Sequence, residues 1–405
     1  MNKQRVTSAK PPRNTGAKHS GEGGNKCRLG DLFENRRERG RAGLPLLSVT
    51  LTSGLVNRED QDRKQDSALT PEEHLLVRRG DIAYNTMRMW QGAFGLAATE
   101  GLVSPAYVVL KPKLKTDAEY VAHLLRSQRL LHLLWAYSYG ITDDRLRLYF
   151  EDFASIPVFI PESGTQRQIA QLLSTLDQLI DIAERLASSY ESEKNSLMRR
   201  ILSPVKSQWK EGGWRRVSLG EVAKIDQSTL SAKTPADYRF RYISLSDISE
   251  GRISDYLEEH VYSDAPSRAR RLVRAGDVLM ATVRPSLKSY ALVDQQHNGC
   301  VASTGFAVFS CSEELLPEFL YHYLFSDDVQ RQVNALVAGS NYPAIASSDV
   351  SELLINMPDL KTQSLISKLL SSINENVKAN RRYRDVLKRE KQGLAQRLLS
   401  QKVMG

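Results

Sequence analysis

The chain has 405 residues, 41% hydrophobic and 25% charged, with a formal net charge of +9; that is ordinary for a soluble globular protein and long enough for two or three domains with their own cores. The surplus of Lys and Arg favours a polyanionic partner, nucleic acid ahead of an acidic protein, with solubility as the competing explanation. Cys27, Cys300 and Cys311 are too few and too irregularly spaced for a disulfide framework or a zinc site; no apolar run approaches the ~18 residues of a membrane span and no secretion signal opens the chain, so a reducing, cytoplasmic setting is expected.

Residues 1–25 are rich in Lys, Arg, Gly, Pro and Ser without apolar periodicity, which predicts a disordered basic tail. A first globular unit is expected over 26–162. Short β-rich runs, Leu46–Leu51 and Ala106–Leu110, lie between Gly, Pro and Asp turns. A helix is predicted from about Ala118 to Tyr137, with Val121, Leu124, Leu125, Leu131 and Leu134 on its apolar face. Ile156–Pro161 reads as an extended exit. A long helix follows over 163–204. Taking Ile169 as heptad position a places Leu176, Ala183, Tyr190 and Leu197 at a, and Leu172, Leu179 and Leu186 at d, before Glu193 and Arg200 break the pattern. Pro204 stops it and 205–213 reads as a linker.

The second unit, 214–359, opens on Trp214 and carries strand candidates Arg241–Leu245 and Phe306–Phe309 and a helix around Glu318–Leu324. A distal long helix fills 360–405, with Ile366, Ile373, Asn380, Leu387 and Leu394 at a and Leu369, Asn376, Tyr383, Glu390 and Arg397 at d. Leucines in one helix and Asn376 and Asn380 in the other predict that the two pair with each other, a buried Asn selecting register; the alternative is that each pads its own domain.

The second unit repeats the first. Leu76-Val77-Arg78-Arg79-Gly80-Asp81 returns 196 residues later as Leu272-Val273-Arg274-Ala275-Gly276-Asp277, and Thr86 and Arg88 return as Thr282 and Arg284. Pro161 through Gln166 and Ile169 answer to Pro358 through Gln363 and Ile366, 197 residues on. A duplicated unit with a built-in spacer helix serves a protein that must touch two separated places on one long partner.

Catalytic motifs are missing from this sequence. It has neither a GxxxxGK[ST] nor a GxGxxG phosphate loop, and no histidine pair at metal-binding spacing. Asp359-Leu360-Lys361 faintly resembles a nuclease metal motif, but its repeat partner Glu162-Ser163-Gly164 lacks the lysine. Binding residues remain. Arg88 and Arg284 lie just past equivalent predicted strands, where a loop-held guanidinium can donate a bidentate pair to guanine; a phosphate contact or surface ion pair is the alternative. Thr86 and Thr282 are candidates to meet phosphate or a base edge, and Trp90 reads either as an exposed contact or as core. Arg268 and Arg271, with Arg270 and Arg274, form a basic run expected to contact phosphate or simply to face solvent; Arg36, Arg37, Arg39 and Arg41 are the first-unit counterpart. Asn341, in a loop matched to Gly140–Arg145, is a candidate for adenine.

The run Gln166-Arg167-Gln168-Ile169-Ala170-Gln171-Leu172-Leu173-Ser174-Thr175-Leu176-Asp177 resembles the helix-opening signature that follows each target recognition domain in type I restriction–modification specificity subunits. Trp214 through Val222, the Tyr242–Ile253 segment and Gly276-Asp277-Val278-Leu279 are similar to the same family, over about 26–400. The chain departs from it in opening its first unit on Cys27-Arg28-Leu29 without a tryptophan, and in carrying Thr362-Gln363 and Asn374, where Asp is typical. The resemblance implies an α+β protein with two similar globular α/β target recognition domains separated by two long helices paired as an antiparallel coiled coil. It implies a non-catalytic subunit that reads a bipartite, asymmetric site on double-stranded DNA, each domain one half. Two methyltransferase (modification) subunits and restriction/translocase subunits would be its partners, and S-adenosylmethionine, ATP and magnesium would belong to them, with none on this chain. The first helix from Gln166 to Leu202 would span about 55 Å at ~1.5 Å per residue, on the order of 16 base-pair steps. The reading from another class is a duplicated protein-binding coiled-coil adaptor without sequence-specific DNA recognition.

Overall fold

The computed structural model describes residues 25–51, 53–60, 69–140, 142, 145–202, 213–337 and 344–399. The expected basic tail lies outside them except for Asn25, and the expected linker except for Gly213. The chain divides into two compact units that are not serial segments: residues 1–182 with 383–405, and residues 183–382. Each therefore contains one repeat of the globular domain and half of each long helix.

In the first unit a four-stranded antiparallel sheet runs in the order Phe33–Asn35, Tyr107–Pro112, Ile82–Asn85, Phe94–Leu96. The strand Ile82–Asn85 is buried from Ile82 to Tyr84 because both its faces are covered. Ile82 and Tyr84 join the main core beneath the helices, while Ala83 packs with Val77, Val103 and Val109 against the hairpin Leu47–Thr50/Gly54–Asn57. The second unit repeats this design with Ala223–Ile225, Phe306–Cys311, Val278–Ala281 and Tyr290–Leu292. There Val278 and Met280 face one core, and Leu279 and Ala281 the other. That alternation is the period of two of a strand buried on both sides.

The repeated Gly-Asp pair is a turn. Gly80 and Gly276 have φ of 89° and 92°, a left-handed conformation that favours glycine. Asp81 and Asp277 each accept the backbone N–H three residues back, from Arg78 and Arg274, at 2.8 Å. The helix predicted over Ala118–Tyr137 is two helices, Ala118–Leu125 and Gln128–Ala136. Ser127 breaks it by taking an extended backbone and accepting the Leu130 N–H on its hydroxyl, an N-cap inside the apolar run. Its counterparts are Pro317–Leu324 and Asp327–Val337.

The two long helices run unbroken over Ser163–Leu202 and Leu360–Leu399. Asp359 accepts the N–H and hydroxyl of Thr362 at the start of the second, so it serves there as a cap. Both helices begin with the same clamp. The Gln166 side chain donates to Pro161 O (2.8 Å) and accepts from Asp117 N (3.0 Å); Gln363 donates to Pro358 O (2.9 Å) and accepts from Leu316 N (2.8 Å). This accounts for the repeated Pro–Gln spacing.

Within each unit the helix halves meet antiparallel, rising numbers on one against falling numbers on the other. In the first unit Ile169 and Leu173 share a core with Leu399, and Lys391 donates to both carboxylate oxygens of Asp177. In the second, Met198 and Leu202 join Ile366 and Leu370, Lys194 donates to Asn374 at 3.0 Å, and Arg381 pairs with Glu191 at 2.8 Å.

The heptad phase differs from the expectation. Most residues assigned to d are turned outward: Leu172 is 43% exposed, Leu186 44%, Leu369 43% and Tyr383 51%, with Leu179 half-buried. The buried partners of Ile169 and Ile366 lie four residues on, at Leu173 and Leu370, and this spacing continues through Ala187 and Val377. Ile169 and Ile366 are thus d positions, and Leu173 and Leu370 are a. Leu172 and Leu173, and Leu369 and Leu370, stand side by side, so an apolar residue is available to either phase and only the covering chain separates them. Asn376 is exposed and Asn380 donates to Asn376 O in its own helix (2.9 Å), so neither is a buried register device. Lys194 and Lys391, at equivalent a positions, supply the polar element of the seam instead.

Asn374 has a local reason. Asp177 stands near Arg126 as well as Lys391, whereas Asn374 meets Lys194 beside Phe325, whose ring centre lies 5.7 Å from the ammonium. Where the neighbouring cation becomes a phenyl ring, the acid becomes an amide, and the net charge of these three positions is kept.

Candidate nucleic-acid interface

The central strand of each sheet ends in a tight, locked turn. In the first unit Asn85 accepts the Met87 N–H on its side chain (3.0 Å), and the Arg88 N–H reaches Asn85 O (3.1 Å). A single 3-10 turn, Met89–Gln91, then closes on Gly92 in the left-handed conformation. Met89 is fully buried under this turn and Trp90 donates from Nε1 to Met87 O at 3.0 Å. Arg88 is left exposed on a fixed backbone, with no hydrogen bond or ion pair from its guanidinium among the described residues.

The second unit builds the same projection differently. Arg284 itself is left-handed (φ 50°, ψ 54°), followed by the 3-10 turn Pro285–Leu287 and a second left-handed residue, Lys288. A non-glycine residue held there costs on the order of 1–3 kcal/mol. The Arg284 side chain is exposed and unpaired among the described residues. Beside each turn runs a second loop, tied to it by one equivalent hydrogen bond: Leu148 N–H to Thr86 O and Ile345 N–H to Thr282 O, both 2.9 Å.

The structure separates the remaining candidates. Thr86 is half-buried and donates to Ala106 O (3.1 Å). Trp90 is half-buried, neither fully core nor free. Thr282 is 5% exposed and donates to Gly305 O at 2.9 Å, so it holds the turn and presents no group to a ligand. Arg271 pairs with Asp226, which also accepts from Ser347; both side chains face inward, and this arginine is not a free phosphate contact. Arg268 is exposed, and Arg270 lies over the Tyr262 ring at 5.1 Å. Asn341 lies outside the described residues. In the other basic run, Arg36 grips Asp81 (2.7 Å) and Arg41 pairs with Glu100 (2.8 Å).

Sequence reading passed over an aromatic rim around the first turn. Trp135 is 48% exposed, Tyr139 52% and Tyr149 39%, the two tyrosine rings 5.9 Å apart, with Arg147 donating to the Tyr149 hydroxyl at 3.4 Å. The signal was the bunching of Trp135, Tyr137 and Tyr139 at a helix end. An exposed arginine offers donors to a base edge or phosphate, and exposed rings offer stacking faces. Among the described residues no group of three or more His, Cys, Asp or Glu side chains is placed to hold a metal ion, and no helix is long and apolar enough to cross a membrane.

Comparison with known proteins agrees with a duplicated DNA-reading fold. The sequence matches the family described as type I restriction modification DNA specificity domain twice, over residues 44–189 and 211–389. It is 25% identical over 184 residues to the type I restriction enzyme HindI specificity subunit of Haemophilus influenzae, spanning 45% of this chain and 39% of that one. It is 21% identical over 355 residues to the MjaVIII specificity subunit of Methanocaldococcus jannaschii, 82% of this chain and 81% of that one. The crystal structure of a type I restriction-modification S subunit from M. genitalium shares the fold at a TM-score of 0.60 and 15% identity, over 98% of this chain and 99% of that one.

Proposed function

Because this chain belongs to the type I restriction modification DNA specificity family, we propose that its two units each read a short stretch of one duplex, and that partner subunits perform the methylation and cleavage. The observation that carries this reading is the matched pair Arg88 and Arg284. Each is an exposed guanidinium, unpaired among the described residues, on a hydrogen-bonded turn at the same end of the same strand in two copies of one sheet. A side chain that is to discriminate a base edge must be held before it binds, and these turns hold the backbone rigidly.

Methyltransferase subunits find a docking surface in the outward stripes of the long helices. These carry Leu172 and Ile182 in the first unit, and Leu186, Leu365 and Leu369 in the second, each more than 40% exposed. Restriction/translocase subunits complete the assembly. S-adenosylmethionine, ATP and magnesium enter with those partners, and this chain contributes recognition.

Salt dependence separates this reading from a protein-binding adaptor. Binding of the full chain to duplex DNA is expected to fall about 10³-fold between 50 and 200 mM salt for roughly six phosphate contacts. A shallow dependence, measured by fluorescence anisotropy on a mixed-sequence duplex, supports the adaptor and removes the DNA reading.

The long helices set the gap between the half-sites in this proposal, since each 40-residue helix contributes to both units. Seven residues added to both helices, near Ala183 and Arg382, lengthen each by about 10.5 Å. The methylated motif should then gain about three base pairs in its gap. Retention of the parental gap in methylome sequencing counts against a ruler.

A further inference from the structure

In the first unit, where helices Ala118–Leu125 and Gln128–Ala136 meet the two long helices, lies a cavity of about 460 Å³, within the ~300–1,000 Å³ range of small-ligand sites. Arg126, Arg129, Lys388 and Lys391 line it above an apolar floor of Leu173, Ala395 and Leu399. Lys391 is oriented by Asp177. Arg126 rests over the Phe94 ring at 4.8 Å, and neither it nor Arg129 forms an ion pair among the described residues.

The duplication supplies an internal control. The second unit repeats the scaffold of this corner: His123 bonded to Ser174 (3.1 Å) becomes His322 bonded to Ser371 (2.8 Å), and the glutamine clamp and seam lysine recur. The other cations do not recur. Arg126 corresponds to Phe325, Arg129 to Asp328 and Lys388 to Glu191. The packing is thus built without three of the four cations, and for Arg126 and Arg129 no ion pair among the described residues accounts for their presence in the first unit.

We propose that this cavity is a phosphate site, taken by a small phosphorylated anion. Arginine forks match phosphate oxygens two at a time. The nine-residue helix Gln128–Ala136 begins at the cavity, adding the partial positive charge of its first turn. The apolar floor accommodates a carbon body behind the phosphate, which a solvated DNA backbone does not present. The reading turn meets this helix at Leu131, against Gly92, and neither Leu131 nor Arg88 lines the cavity.

The test is thermal unfolding and calorimetry of the full chain with pyrophosphate, against chloride and malonate at matched ionic strength. The expected result is a saturable rise in melting temperature, with one site per chain. The Arg126→Phe/Arg129→Asp double variant, which installs the second unit's residues in the same scaffold, should weaken pyrophosphate binding at least ten-fold and leave DNA affinity unchanged. Should that variant melt early, Arg129→Gln alone, at an exposed position, is expected to weaken pyrophosphate binding in the same direction. No saturable shift, an equal shift with malonate, undiminished binding by the variants, or a loss of DNA affinity in place of pyrophosphate binding overturns the proposal.

Discussion

Arg88→Ala should lower specific methylation by roughly 10- to 100-fold and relax the base requirement in one half of the recognised motif, with Arg284→Ala doing the same to the other half. The magnitude is that of one bidentate arginine–guanine contact, ~1–3 kcal/mol. The two effects should multiply in the double variant, because the arginines belong to different compact units. Neither change should lower the melting temperature, since both side chains are exposed and unpaired among the described residues. Arg271→Ala is the contrast: removing the partner of the inward-facing Asp226 carboxylate should destabilise the second unit by several kcal/mol. The measurement is genome-wide mapping of methylated adenines, with the chain co-expressed with its methyltransferase subunit. Parental motif and level in both arginine variants would remove these residues from the interface.

Acid should unfold the protein through two equivalent histidines. Burial, with Lys391 nearby, lowers the pKa of His123 to about 4; burial, with Lys194 and Lys378, lowers that of His322 to about 3. Asp177 and Asp117 oppose the shift at His123 without reversing it. Both imidazoles are therefore neutral in the folded chain at pH 7, while in the unfolded chain they bind protons below about pH 6.5. The unfolded state gains protons first, so stability is greatest above pH 6.5 and falls as the pH drops toward 4 and 3. From pH 7 to 5 the loss is on the order of 2 kcal/mol per histidine. Denaturant titrations at pH 7 and 5 measure it. His322→Gln, whose amide can still meet Ser371, should flatten the pH dependence of the second unit by about half the total. An unchanged pH slope in that variant would place the acid sensitivity elsewhere.

Much of the architecture was legible in the residues, because it depends on local repetition. Strand candidates such as Leu46–Leu51 and Phe306–Phe309 became Leu47–Thr50 and Phe306–Cys311. The helix break at Ser127 was less visible, since an N-cap serine inside an apolar run leaves the period intact on both sides. Arg88 and Arg284 stood out because duplication placed them at one offset, and the structure leaves both exposed. Thr282 and Arg271 looked the same in sequence and proved internal. Their partners, Gly305 and Asp226, lie 23 and 45 residues away, beyond any local pattern. The aromatic rim of Trp135, Tyr139 and Tyr149 was overlooked because exposure of a ring is a property of its surroundings.

The sequence by itself determined the duplication, the two long helices and the central strands, because offsets, heptads and apolar runs are set by neighbours along the chain. Tertiary structure alone decided the heptad phase, the inward turn of Thr282 and Arg271, and the basic cavity that joins Arg126 to Lys391. Each of these depends on which distant segment covers a side chain, and spacing along the chain carries no record of that.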